Sequence, residues 1–207
     1  MLSGLSVAMA LGLAACGGDF TSSGDSLTES EAAELAEELA EGGFVGFGGQ
    51  AAAPMGAPGE AAARVTIILS DTYPCDEGGG TGTVAVAGSM TADINETTGT
   101  GTFEFNYTIA PHGCQVTTSG GKVFTLDGDP NLRVTGNFNW SQTSAEGTLT
   151  YDGRFKWEAS DGRAGACGVD LTANYDFNFS STGSSGSATV SGTVCGVTVN
   201  RTISVEA

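Results

Sequence analysis

The chain has 207 residues, 33 of them glycine and only 15% charged, and its formal net charge at pH 7 is −17. A nucleic-acid-binding protein needs clustered lysine and arginine to displace counterions, and seven basic residues among 24 acidic ones exclude that class. The same charge disfavours attraction to anionic lipid, so attachment to a membrane requires a covalent lipid or an apolar segment. The length suffices for one domain with tails.

The N-terminus is an apolar run, residues 2–15, that leads directly into Cys16. The run is too short to cross a bilayer but has the length of a signal-peptide core. Its ending, Leu13-Ala14-Ala15-Cys16, resembles the lipobox of bacterial prolipoproteins. The resemblance implies that residues 1–15 are a lipoprotein signal peptide and that Cys16 is acylated, which anchors the protein to a membrane. It also implies a location in the bacterial cell envelope, and Gly17 after the cysteine favours the outer membrane.

Residues 16–63 are predicted to be an acidic tether, rich in Gly and Ala, with one short helix over residues 28–41. The segment Thr28-Glu29-Ser30-Glu31 matches a capping box, in which the Thr28 hydroxyl and the Glu31 carboxylate satisfy each other's backbone amides. Apolar residues follow at helical spacing, and Gly42-Gly43 predicts the end of the helix. Because that apolar stripe is mostly alanine, we expect a solvated spacer that adds nothing to the stability of the rest. A helix that docks on a partner is the alternative.

Residues 64–207 are predicted to form an all-β domain, because apolar and polar residues alternate with period two in stretch after stretch. The clearest run places apolar residues at alternate positions from Val169 to Phe179. Turn-forming clusters separate about eight such stretches, and the absence of an intervening helical pattern favours antiparallel strands joined by hairpins. At Cys195-Gly196 the apolar phase switches, which indicates a bulge or a tight turn.

Glycines on the apolar phase of these strands bear on how the sheet curves. Gly88, Gly136, Gly153 and Gly192 bury no side chain there and allow a sheet to coil sharply. We therefore expect an antiparallel up-and-down meander, as a strongly coiled sheet or a closed barrel of about eight strands. An immunoglobulin-like sandwich is the alternative.

Four cysteines lie in the predicted β domain: Cys75, Cys114, Cys167 and Cys195. An even number in an exported domain predicts two disulfides, and the spacing is too wide for a zinc site. Three pairings are open, and we favour the pairing of sequence neighbours, Cys75 with Cys114 and Cys167 with Cys195.

The sequence contains little that indicates catalysis or metal binding. His112 is the only histidine and has no G-x-S-x-G motif beside it, so we predict no enzyme and no cofactor. Asp127, Asp129 and Asn131 alternate as in a calcium loop but lack its glycine and its final glutamate, which makes them a weak calcium candidate against an ordinary turn.

These observations lead to one functional hypothesis and two alternatives. The hypothesis is a cell-envelope lipoprotein whose non-catalytic β domain binds or scaffolds a partner at the cell surface or in the periplasm, with the partner a protein or a small molecule. The first alternative is a barrel that carries a small apolar ligand. The second is an integral outer-membrane β-barrel.

Overall fold

A computed structural model describes residues 23–48, 63–75, 81–180 and 183–205. The predicted signal peptide, Cys16 and part of the predicted tether lie outside these ranges. The elements in chain order are β1 (Ser23–Gly24), α1 (Glu29–Gly48), β2 (Ala63–Pro74), β3 (Thr83–Asn95), β4 (Thr100–His112), β5 (Cys114–Thr117), β6 (Val123–Trp140), β7 (Ser144–Ala159), β8 (Ala164–Ser180), β9 (Gly183–Val194) and β10 (Val197–Val205).

The strands form one antiparallel sheet in the order β10-β9-β8-β7-β6-β4-β3-β2. Long strands that follow one another along the chain are neighbours in the sheet, which is the meander that the hairpin pattern predicts. Residues 195–196 form the tight turn between β9 and β10, where Val194 pairs with Val197. Cys195 and Gly196 both have positive φ, as a two-residue hairpin turn requires.

One end of the sheet, which we call the disulfide end, is built from the longest strands. Here β6, β7 and β8 extend beyond their neighbours, β5 pairs with β6 on one side and β1 pairs with β8 on the other. The two disulfides, Cys75–Cys114 and Cys167–Cys195, also lie at this end, and they join sequence neighbours as predicted. Covalent cross-links therefore hold the strand ends where the sheet is most extended.

The sheet is open, so the expectation of a closed barrel or a strongly coiled sheet is wrong. Within the described residues β2 and β10 are the two edges and do not pair with each other. The alternative, an immunoglobulin-like sandwich, is also wrong, because all the described strands belong to a single sheet.

The glycines on the apolar phase make room for large side chains and do not close the sheet. Gly147 lies between Phe138 and Tyr175 in the strand register, and the two rings meet with their centroids 5.5 Å apart. A Cβ built on Gly147 would come within 2.5 Å of the Phe138 ring. Gly136 likewise separates Phe105 from Leu149. An open sheet in which glycine alternates with bulky neighbours satisfies the same pattern that predicted coiling.

The helix packs on the apolar face of the sheet at β9 and β10, so the prediction of a solvated spacer is wrong. Its apolar stripe is buried and belongs to the same core as the strands; its members are Ala32, Ala33, Leu35, Ala36 and Ala40. The helix contacts β9 and β10, and it begins at Glu29 as the capping box predicts. It continues through Gly42 and Gly43 to Gly48, beyond the predicted end. Each glycine lowers helix propensity by ~1 kcal/mol relative to alanine, which is why the sequence predicted an earlier end.

Candidate interaction surfaces

The N-terminus of α1 is held to the disulfide end by four charged residues: Glu31, Lys122, Asp161 and Arg163. We call this group the ionic cluster. The Glu31 carboxylate accepts hydrogen bonds from Lys122 Nζ at 2.6 Å and from both terminal nitrogens of Arg163. Asp161 accepts from Lys122 Nζ at 2.7 Å and from Arg163 Nε at 3.0 Å. Two cations from the β5–β6 and β7–β8 turns therefore share two carboxylates, one of them on the helix.

Glu31 is the centre of the ionic cluster, because it also completes the capping box. The Thr28 amide donates to Glu31 Oε2 at 2.9 Å, and the Glu31 amide donates to the Thr28 hydroxyl at 3.3 Å. The hydrogen bonds from Arg163, more than those from Lys122 and Thr28, hold the pKa of Glu31 well below its usual range. The hydrogen bond from Lys122 lowers the pKa of Asp161 to about 2. Both groups are therefore charged at neutral pH.

Two buried tyrosines fix the helix at its middle. The Tyr175 hydroxyl donates to the carbonyl oxygen of Ala40 at 2.8 Å and lies 3.1 Å from the Tyr151 hydroxyl. Because Tyr175 has one proton to give, Tyr151 donates to Tyr175. Burial raises the pKa of Tyr175 to about 12, and burial also raises the pKa of Tyr151 well above its usual value. The two hydroxyls thus remain protonated and link β7 and β8 to the helix backbone.

Glutamates farther along the helix act in opposite directions. Glu37 forms an ion pair with Arg201 of β10 at 3.4 Å. Burial, and then repulsion from neighbouring glutamates, raises the pKa of both Glu38 and Glu41. These two carboxylates oppose docking when they are charged, whereas the ionic cluster favours it.

The outer side of the sheet, opposite the helix, carries a regular array of small polar side chains that we call the polar face. Each of its two central rows crosses eight strands. One row is Thr66, Thr91, Glu104, Asn137, Thr148, Asn174, Thr189 and Thr202; the other is Ile68, Ser89, Asn106, Thr135, Thr150, Thr172, Ser191 and Asn200. All but Glu104 and Ile68 are hydroxyl or amide side chains. The adjoining rows carry charges that are mostly acidic, such as Asp93 and Asp176 on one side and Asp152 and Asp170 on the other.

The side chains of the polar face can form hydrogen bonds, but its two central rows hold no aromatic ring on which a ligand could stack. Some side chains pair with each other, as Thr148 does with Asn174 at 2.8 Å and Arg133 with Asn106 at 3.2 Å. Hydroxyls and amides both donate and accept, and they recur every 4.7–4.9 Å across the strands. The aromatic side chains of the long strands lie on the opposite phase, in or against the core. The face therefore suits an uncharged or cationic partner rich in hydrogen-bonding groups.

The weak calcium candidate lies in strand β6 and not in a turn. Asp127, Asp129 and Asn131 fall around the register shift between Gly128 and Leu132. The Asp127 carboxylate accepts a hydrogen bond from the Gly113 amide at 2.8 Å, and Asp129 lies 3.8 Å from Arg154. In the part of the chain that the structure describes, no group of three His, Cys, Asp or Glu residues is arranged to hold a metal ion.

The interior and the remaining concavities offer no enclosed ligand site among the described residues. Tyr107, Phe124, Tyr151 and Phe155, each at most 2% exposed, fill the apolar side. Large aromatic side chains therefore occupy this part of the core. An open depression of about 490 Å³ lies near β1, where Thr125, Asp127, Lys156 and Glu158 line it from the polar side. His112 is exposed at the end of β4.

Sequence reasoning identified the cysteine pairs and the capping box but missed the docking of the helix. The signal was present in the positive charges: Lys122, Arg163 and Arg201 are three of only seven basic residues, and all three face glutamates of α1. Their sequence separation from the helix hid this relationship.

Comparisons with protein-family models, with curated proteins and with solved structures found no match. None of the described helices is both long enough and apolar enough to cross a membrane.

Proposed function

We propose that the protein is a lipid-anchored lipoprotein of the bacterial cell envelope whose β domain serves as a non-catalytic scaffold. The observation that carries the proposal is the lipobox that ends at Cys16, followed after only six residues by β1. The two disulfides fit an exported domain, since cytosolic proteins rarely retain them.

The docked helix changes the geometry that the anchor implies. With residues 16–63 as a free tether, the sheet would have a long reach from the membrane. However, β1 is paired to β8 and α1 is fixed on the sheet, which leaves residues 17–22 as the connection to Cys16. Seven residue steps span at most about 25 Å. An acyl group on Cys16 would therefore hold the disulfide end of the sheet next to the membrane.

In this arrangement the polar face is the surface that the scaffold presents. Its neutral central rows and acidic flanking rows suit an uncharged or cationic partner that is rich in hydrogen-bonding groups. The net charge of −17 keeps the face away from anionic headgroups, so that it stays available although the anchor is short.

The test is metabolic labelling with palmitate in the native cell. We expect wild-type protein to incorporate label and to fractionate with membranes, and a Cys16→Ser variant to do neither. Cys75→Ser combined with Cys114→Ser is the matched control, because it removes cysteines of the β domain and should leave labelling unchanged. Equal labelling of wild type and Cys16→Ser, or no labelling of either, would contradict the proposal.

A further inference from the structure

The free edge at β2 is the least protected part of the described sheet. β2 runs from Ala63 to Pro74 and pairs with β3 along its whole length, and its other edge has no strand partner among the described residues. The opposite edge strand, β10, is in contact with α1, partly through the ion pair of Glu37 with Arg201. An unpaired edge offers a row of free amides and carbonyls to any incoming strand.

Exposed apolar side chains concentrate on this same strand. Val65 is 45% exposed and Ile68 is 73% exposed. Within the described ranges, these two are the exposed large hydrophobic side chains. Ile67, which lies between them, and Leu69, which follows Ile68, are half-buried. Edge strands are ordinarily protected by charge or proline in their middle, but here Arg64, Asp71 and Pro74 stand only at the ends. The central segment Val65-Thr66-Ile67-Ile68-Leu69 is uncharged and rich in β-branched residues.

The segments that flank β2 in the sequence have compositions that disfavour a strand. Residues 49–62 are mostly Ala and Gly with Pro54 and Pro58, and proline cannot donate to a strand ladder. Residues 76–80 are Asp-Glu-Gly-Gly-Gly, and residues 17–22 lead into β1 on the far side of the sheet. An uncharged strand rich in β-branched residues matches the edge better, and β2 of a second copy has that composition.

We propose that two copies of the chain pair through β2 in antiparallel orientation, about a two-fold axis at Ile67. In this register Val65 lies opposite the partner's Leu69, and Thr66 lies opposite the partner's Ile68. The inner faces of both strands then match apolar to apolar, and Arg64 lies opposite the partner's Ser70, so no like charges are directly opposed. Such an interface is isologous and closes at two copies. It joins the two polar faces into one surface, and it does not depend on acylation of Cys16.

The charge of the molecule sets the conditions under which the dimer is strongest. Each copy carries a formal charge of −17, so the two copies repel each other at low ionic strength. Added salt screens this repulsion over about 10 Å at 0.1 M, while apolar contacts and backbone hydrogen bonds are little affected. We expect the dimer to strengthen as salt is raised.

The first test measures the mass of the full chain in mild detergent by light scattering after size exclusion. We expect the protein to have twice the monomer mass, and Ile68→Lys and Val65→Lys to reduce it to the monomer. Thr202→Lys is the matched control for Ile68→Lys, because it places the same charge on the polar face at the other edge strand, and it should remain dimeric. A monomeric wild type at high concentration and moderate salt, or loss of the dimer in the control alone, would overturn the proposal.

The second test fixes the register by cross-linking in a Cys16→Ser background. Ile67→Cys faces itself across the axis and should give a covalent dimer on a non-reducing gel. Val65→Cys should not, whereas Val65→Cys combined with Leu69→Cys should. A dimer that forms equally with Val65→Cys alone contradicts this register. A dimer in this background together with failed palmitate labelling of wild type would separate self-pairing from the lipid anchor.

Discussion

At the scale of single residues, the described core depends on where side chains are absent as much as on where they are present. Gly147 of β7 lies under two aromatic rings that come from the neighbouring strands, Phe138 on one side and Tyr175 on the other. Its surroundings include backbone as well as side chain, since a Cβ there would lie 2.3 Å from the Asn137 carbonyl oxygen. Backbone cannot rotate away, so the position admits only glycine without displacement of a strand.

We therefore predict that Gly147→Ala destabilises the protein although alanine is a better strand former. Overpacking a dense core costs about 1–3 kcal/mol, more than the few tenths gained from a stiffer unfolded chain. Urea melts should show this loss, while the neighbouring exposed position, Glu146→Ala, should change the free energy of unfolding by less than about 0.5 kcal/mol. A Gly147→Ala variant as stable as wild type would show that the rings are not held in this arrangement.

At the scale of secondary-structure elements, the decisive feature is the contact between α1 and the sheet. Attraction acts at the N-terminus of the helix through the ionic cluster, and the tyrosine hydroxyls fix its middle. Farther along, Glu38 and Glu41 oppose docking through burial and mutual repulsion. Charges thus favour docking of the helix at its N-terminus, and the charged forms of Glu38 and Glu41 oppose docking farther along.

This arrangement predicts a maximum of stability at mildly acidic pH. The raised pKa values of Glu38 and Glu41 mean that the folded state binds protons more readily, so the free energy of unfolding should rise as the pH falls from 7 toward 4.5, the ordinary glutamate value. Glu31 and Asp161 have lowered pKa values, so the stability that they contribute is present at neutral pH and is lost as the pH falls below their ordinary values.

Urea melts at a series of pH values check this prediction. In the double variant Glu38→Gln with Glu41→Gln, the rise between pH 7 and mildly acidic pH should be reduced. Glu31→Gln should lower the free energy of unfolding at pH 7. It should also reduce the loss of stability in acid, which would show that the ionic cluster causes that loss. A wild-type curve that falls continuously from pH 7 downward would contradict the docking geometry of the helix.

At the scale of the whole molecule, the two disulfides reinforce the end of the sheet that the proposed anchor holds near the membrane. Cys75–Cys114 ties the end of β2 to β5, and Cys167–Cys195 ties β8 to the β9–β10 turn. The loops that they close have sequence separations of 39 and 28 residues. Such cross-links act largely by restricting the unfolded chain.

We predict that removing either disulfide costs about 2–5 kcal/mol of unfolding free energy. The paired variants are Cys75→Ala with Cys114→Ala, and Cys167→Ala with Cys195→Ala, each compared with wild type in urea with and without reductant. Cysteine and alanine share the Cβ that strains the positive φ at position 195, so this strain is the same in wild type and in the second paired variant. Cys195→Gly with Cys167→Ala relieves the strain and should therefore lose less stability than Cys195→Ala with Cys167→Ala. Unchanged stability in reductant would contradict the prediction.

The sequence by itself determined the features that depend on neighbours along the chain. Period-two alternation from Val169 to Phe179 defined a strand, the Thr28–Glu31 capping box marked the start of the helix, and the phase switch at Cys195-Gly196 marked a turn. The lipobox at Cys16 is of the same local kind and remains a prediction. Only the tertiary structure decided whether the sheet closes and what covers its apolar face, because inward glycines are compatible both with coiling and with large cross-strand neighbours. It also decided the role of α1: its thin alanine stripe looks too small to bury anything until Lys122, Arg163 and Tyr175, which are distant in the chain, meet it in space.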